Sequence, residues 1–157
     1  MILGIVAIFF ALFADQITKY LLAAHLNNGE IVTFGDFFNL VKVWNTGVSF
    51  SMFNNHGELG RIVLCVVSVL VCLFLLWWMF KEKNTIKILC LGLIIGGALG
   101  NVIDRVRFGA VLDFLDFHLK THHWPAFNFA DSFICIGAGI LIVLELLNGQ
   151  KKGREEK

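Results

Sequence analysis

Proline is nearly absent from this chain, with Pro125 its single example, and tyrosine also occurs only once. Charge is scarce: Asp, Glu, Lys and Arg together make up 16% of the residues. A soluble domain of this length cannot cover its apolar surface with so few charges. The formal net charge of +1 gives no drive toward nucleic acid or a strongly acidic partner. Cys-x-x-Cys spacing is missing too. Cys65, Cys72, Cys90 and Cys135 all fall in apolar runs, where a free thiol serves as small apolar filler, and they leave the redox compartment open. What fills the chain is hydrocarbon: 57% of residues are hydrophobic and the mean hydropathy is +0.76. The sequence reads as one small integral membrane domain over residues 1–157.

Four apolar segments are long enough to cross a bilayer, at about 2–24, 62–80, 86–103 and 131–147. The second is the cleanest, uncharged and about 28 Å long at 1.5 Å rise per residue. Trp77 and Trp78 close it, as aromatics do at a membrane interface. The third is rich in glycine, and Gly96 with Gly100 forms a small-xxx-small pair that lets another helix approach closely. The first resembles a cleavable leader in having Ala23-Ala24, but it lacks a basic start and is interrupted by Asp15 and Lys19. It is expected to be a retained helix. Asp15 and Lys19 lie one helical turn apart on a shared face, which must point into the bundle or toward the aqueous boundary.

The two long connections, 25–60 and 104–128, are of different material. Residues 31–34 and 39–44 are β-prone, Asn45-Thr46-Gly47 reads as a turn, and Val48 to Phe53 form an apolar patch suited to an interface or a substrate. The short basic ends, Lys81, Lys83 and Lys87 in one connection and Lys151, Lys152, Arg154 and Lys157 in the tail, are expected on the cytoplasmic side. Four spans then put both termini there and both long connections outside. The expected fold is therefore α-helical and membrane-spanning, with four transmembrane helices and a small extracytoplasmic β-containing region built by the two outer loops.

Acids gather where the second outer loop meets its flanking helices: Asp104, Asp113, Asp116 and Asp131. Asp131 opens the fourth span, where a helix N-terminus favours a carboxylate and a plain capping role is open to it. Asp113 sits among Val111, Leu112, Phe114 and Leu115, a poor place for an idle acid. If the loop folds back so that the two meet, mutual repulsion splits their affinities and yields an acid and a base at one site. Such a pair activates water against an amide carbonyl without a metal or cofactor. A proton relay in a small proton-coupled transporter is the alternative for the same acids. His118, His122 and His123 fit no strong metal-ligand spacing. Asp104-Arg105 by itself is equally a surface ion pair.

Five motifs in order carry a resemblance: Asp15-Gln16-x-x-Lys19, Asn45-x-Gly47-x-x-Phe50, Gly100-Asn101-x-x-Asp104-Arg105, Val111-x-Asp113-Phe114 and Phe127-Asn128-x-Ala130-Asp131-Ser132. Together they resemble the bacterial lipoprotein signal peptidase (signal peptidase II) family across the whole chain. The resemblance implies an intramembrane aspartic endopeptidase of the bacterial inner membrane, cleaving prolipoproteins N-terminal to a diacylglyceryl-modified cysteine and inhibited by globomycin. It implies Asp113 and Asp131 as the catalytic pair. Asn45, Gly47, Asn101, Asp104, Arg105 and Asn128 are implied as substrate-binding or supporting residues, with Asp15 and Lys19 behind them. Its implied partners are the lipidated precursor and membrane lipid, and a monomer is expected. Gly47-Val48-Ser49-Phe50-Ser51 departs from the more alanine- and glycine-rich run of typical members, which touches the substrate-facing loop only. Asp116 matches no catalytic acid in the family pattern.

Overall fold

A computed structural model describes residues 1–47 and 57–155; the Val48–Phe53 patch lies outside the described residues. The helices are α1 (Ile2–His25), α2 (Gly57–Lys81), α3 (Thr85–Phe108) and α4 (Phe129–Glu155). Each has a stretch long and apolar enough to span a membrane, with α4 doing so over Phe129–Asn148. The strands are β1 (Ile31–Thr33), β2 (Phe38–Asn45), β3 (Val111–Leu119) and β4 (His122–His123), which form one antiparallel sheet in the order β1-β2-β3-β4.

Helix α3 is the hub and packs against the other three. Its start is fixed by Asn84, whose side chain accepts hydrogen bonds from the backbone N–H groups of Ile86 and Lys87. Its end is fixed by Gly109, which adopts the left-handed conformation (φ 78°) that closes a helix without a Cβ clash. Glycines set the helix spacing. A Cβ on Gly92 would fall 2.5 Å from the Gly4 carbonyl oxygen and one on Gly97 2.5 Å from that of Ala130. Helices α1 and α4 therefore reach α3 backbone to backbone, as small-residue interfaces permit in lipid. Outward-facing Phe9, Phe10, Phe13, Leu70, Phe74 and Leu146 are exposed, as lipid-facing side chains are.

Helix α3 runs five residues past the expected end of the third span, so Asp104 and Arg105 lie on its closing turns rather than in a loop. Asp113 is likewise on a strand, not in a connection. Strand β3 pairs with β2 over Asn45↔Val111, Val43↔Asp113, Leu40↔Leu115 and Asn39↔Asp116, with an irregularity between Leu40 and Val43. The first outer loop thus forms its sheet jointly with the second. This pairing lays Asp113 beside β2 at the end of the bundle where α3 stops and α4 begins.

Candidate active site

Asn128 holds the site together. It precedes α4, and its Oδ1 accepts a hydrogen bond from the Asp131 N–H (3.0 Å) while Asp131 Oδ2 accepts from the Asn128 N–H (3.3 Å). This reciprocal arrangement is a capping box, so Asp131 does serve the helix end as the sequence allowed. The Asn128 side-chain amide then turns to β3 and donates to Asp113 Oδ1 at 2.7 Å. One fully buried asparagine therefore touches both acids.

Each acid has a second asparagine. Asp113 Oδ2 accepts from Asn45 Nδ2 (2.9 Å) at the end of β2, and Asp131 Oδ1 accepts from Asn101 Nδ2 (2.8 Å) on α3. Asp113 is only 3% exposed, whereas Asp131 is half-buried. Burial pushes the Asp113 carboxyl up to about 6; the Asn45 hydrogen bond resists this, the Asp131 charge adds to it, and Asn128 and Lys19 resist it further. A carboxylic acid that holds its proton this far toward neutrality is suited to proton transfer.

Beneath this layer lies a buried ion triad. The Lys19 ammonium donates its three protons to Asp15 Oδ2 (2.8 Å), Asp104 Oδ2 (2.8 Å) and Asn101 Oδ1 (3.0 Å). The remaining lone pairs are also used: Asp15 Oδ1 accepts from the Ala130 N–H (2.9 Å), and Asp104 Oδ2 accepts from that of Leu112 (3.3 Å). Asp15 therefore binds the start of α4, and Asp104 the start of β3. Gln16 Nε2 completes the layer on Asp104 Oδ1 (3.0 Å). Gln16 is a supporting residue absent from the expected set, although its place between Asp15 and Lys19 was a usable signal. Gly100 is required here, because a Cβ on it would fall 2.5 Å from Asp15 Oδ2.

Arg105 sits at the rim. Its Nη1 donates to the Asn101 carbonyl (3.3 Å), and its buried Nε has no partner among the described residues. Gly47, at φ 77°, donates its N–H to Asn45 Oδ1 (2.8 Å), and a Cβ there would lie 3.5 Å from an Arg105 guanidinium nitrogen. A cleft of about 290 Å³ opens beside Asp113, lined by Val43, Trp44, Asn45, Thr46, Pro125 and Ala126. Asp15, Lys19, Asn45, Gly47, Asn101, Asp104, Arg105, Asp113, Asn128 and Asp131 thus come together at one end of the bundle. Asp116 and the three histidines do not join them. Among the described residues no three His, Cys, Asp or Glu side chains are grouped to hold a metal ion.

A four-span helical bundle with buried carboxylates under a small sheet defines a multi-span membrane protein whose buried polar side chains, among the described residues, gather at one end. The sequence profile of the Signal peptidase (SPase) II family matches residues 7–147. A lipoprotein signal peptidase of Anaplasma phagocytophilum is 40% identical over 92% of each chain. That of Ralstonia nicotianae is 47% identical over 84% of this chain and 77% of its own. A bacterial membrane enzyme solved by the in meso method at 1.9 Å superposes with a TM-score of 0.81 at 30% identity, covering 92% of both chains. The chain belongs to the signal peptidase II family. It is a protease that removes signal peptides from lipoproteins, and the transporter reading of its acids is set aside.

Proposed function

We propose that Asp113 and Asp131 are the catalytic dyad and that the bond cut lies N-terminal to a diacylglyceryl-modified cysteine. The observation that carries this is the buried side chain of Asn128, whose Nδ2 donates to the Asp113 carboxylate and whose Oδ1 accepts from the Asp131 backbone N–H, with Asp113 raised to about 6. The ionised carboxylate takes a proton from water as its oxygen attacks the scissile carbonyl. The protonated carboxyl then gives its proton to the departing nitrogen as the C–N bond breaks, and the dyad ends with one proton, as it began. The Arg105 guanidinium at the rim, whose buried Nε has no partner among the described residues, supplies the positive charge nearest a substrate carbonyl or the developing oxyanion. Asn45 and Asn101 fix the carboxylates, and the Lys19 triad fixes Asn101.

The basic ends support cytoplasmic termini, with the sheet and dyad at the extracytoplasmic face of the bacterial inner membrane. The protein acts as a monomer whose substrate arrives through the lipid, and a globomycin-type cyclic peptide competes for the same acids. The test is cleavage of a diacylated precursor peptide by purified protein. Asp113→Asn and Asp131→Asn should each lose about 10³-fold or more, since an amide can neither take nor give the proton. Both should stay folded, and Asp116→Asn should cleave well. Substantial turnover by either dyad variant refutes the dyad.

A further inference from the structure

A second polar cluster lies along β3, away from the dyad. Buried Asp116 accepts from Asn39 Nδ2 on β2 at 2.8 Å. His123 Nδ1 lies 2.9 and 3.0 Å from the two Asp116 carboxylate oxygens, which makes Nδ1 the protonated ring nitrogen. The His118 ring stacks on that of His123 with centroids 5.0 Å apart. Burial pushes the Asp116 carboxyl up, but Asn39 and His123 together hold it below its ordinary value, so it is an ionised acceptor.

Its place in the chain gives the cluster its meaning. Strand β4 is two residues long, and Pro125 has no N–H to extend its ladder. The segment from His123 to Asn128 is tied to β3 by the Trp124 N–H on the Phe117 carbonyl (2.8 Å) and by the Leu115–Phe127 backbone exchange (2.8 and 3.1 Å). Two side-chain contacts stand at its ends: His123 on Asp116, and Asn128 on Asp113 at 2.7 Å.

We propose that Asp116 and His123 are positioning residues for signal-peptide cleavage: their contact sets where the 123–128 segment lies along β3, and so where the Asn128 amide meets Asp113. This rests on the reading of Asp113 as a catalytic acid. Pro125 interrupts the pairing between the Trp124 and Phe127 bonds, so a charge-assisted contact at the far end of the segment adds to those bonds in setting the alignment at its near end. The groups facing Asp113 are Asn45, Asn128, Asp131 and Lys19; those facing Asp116 are Asn39, His118 and His123.

The test uses the full-length protein and a diacylated precursor peptide. His123→Ala and Asp116→Ala should lower kcat about ten-fold with KM nearly unchanged, as a small misplacement of a catalytic group does. The limb of kcat/KM governed by Asp113 should move to higher pH, because the Asn128 hydrogen bond helps keep that carboxyl ionised. Asp116→Asn should restore most of the rate, since its Oδ1 still accepts from His123. Asn39, whose own Oδ1 has no partner among the described residues, can turn its amide to accept from the new N–H group. His123→Ala added to Asn128→Ala should cost nothing further. Wild-type kcat with an unmoved limb in the alanine variants, or additive losses in the double variant, overturns the proposal even if melting temperatures fall. If Asp116→Ala fails to fold, His123→Ala decides alone, its side chain being half exposed. Turnover by Asp113→Asn would instead refute the dyad, and this proposal with it.

Discussion

Lys19→Met removes the cation buried between Asp15 and Asp104. Lys19 is 4% exposed, Asp15 0% and Asp104 2%, and the ammonium lies 2.8 Å from an oxygen of each. Methionine matches the length of the stem but leaves two buried anions facing each other without a counter-charge. Breaking a buried pair from one side costs about 3–5 kcal/mol, most of it the uncompensated charge left behind. At about 2–4 °C per kcal/mol for a chain of this size, the melting temperature should fall by roughly 6–20 °C. Activity should fall as well, because Asn101 Oδ1 loses its charged donor and Nδ2 of the same amide orients Asp131.

The assay is thermal unfolding in lipid nanodiscs, run beside precursor cleavage. A charge-balanced variant isolates the cause: Lys19→Met with Asp15→Asn and Asp104→Asn keeps acceptors for the Ala130 and Leu112 N–H groups while removing both anions. It should recover most of the lost stability, since buried ion clusters are often no more stable than neutral replacements. A melting temperature within about 3 °C of wild type for the single variant, well under the shift worked above, would refute the reasoning. So would a triple variant no more stable than the single one.

Gly96→Ala should destabilise by about 1–3 kcal/mol, because its Cβ would meet the Ile8 carbonyl and lie 2.8 Å from Ala11 Cβ. Gly139→Ala on α4, with nothing within 4 Å, should be neutral or slightly stabilising in the same melting experiment. Asn128→Ala should lower the cleavage rate about 10²-fold through Asp113 and remove about 1 kcal/mol of helix capping, read by kinetics and melting together. As pH rises through about 6, Asp113 gives up its proton in the free enzyme, so kcat/KM should decline on the alkaline side. The corresponding limb in kcat should lie higher, because a bound lipidated peptide excludes water; a kcat/KM that is flat from pH 5 to 8 would contradict it.

The four spans were legible in the sequence because hydrophobicity over about 20 residues is a local property that a bilayer reads directly. The small-residue stripe on α3 and the shared face of Asp15 and Lys19 were legible for the same reason, helical periodicity, while the inward direction of that face came from the structure. Strand β3 was harder. Val111, Leu112, Asp113 and Phe114 are all buried, so alternation between faces is absent and the segment reads as a loop with an odd acid in it. The end of α3 was placed too early because Asp104 and Arg105 look like solvent-facing residues until their partners are known. Those partners are remote: Gln16 reaches Asp104 across 88 residues, and Asp15 takes the Ala130 N–H across 115. Sequence alone determined which polar residues stand in an apolar chain and therefore need partners, since an unpaired charge in such surroundings is too costly to leave. Only the tertiary structure decided which partner each received. That depends on where α3 brings α1, β3 and the start of α4 together, a matter of backbone approach distances that no local pattern encodes.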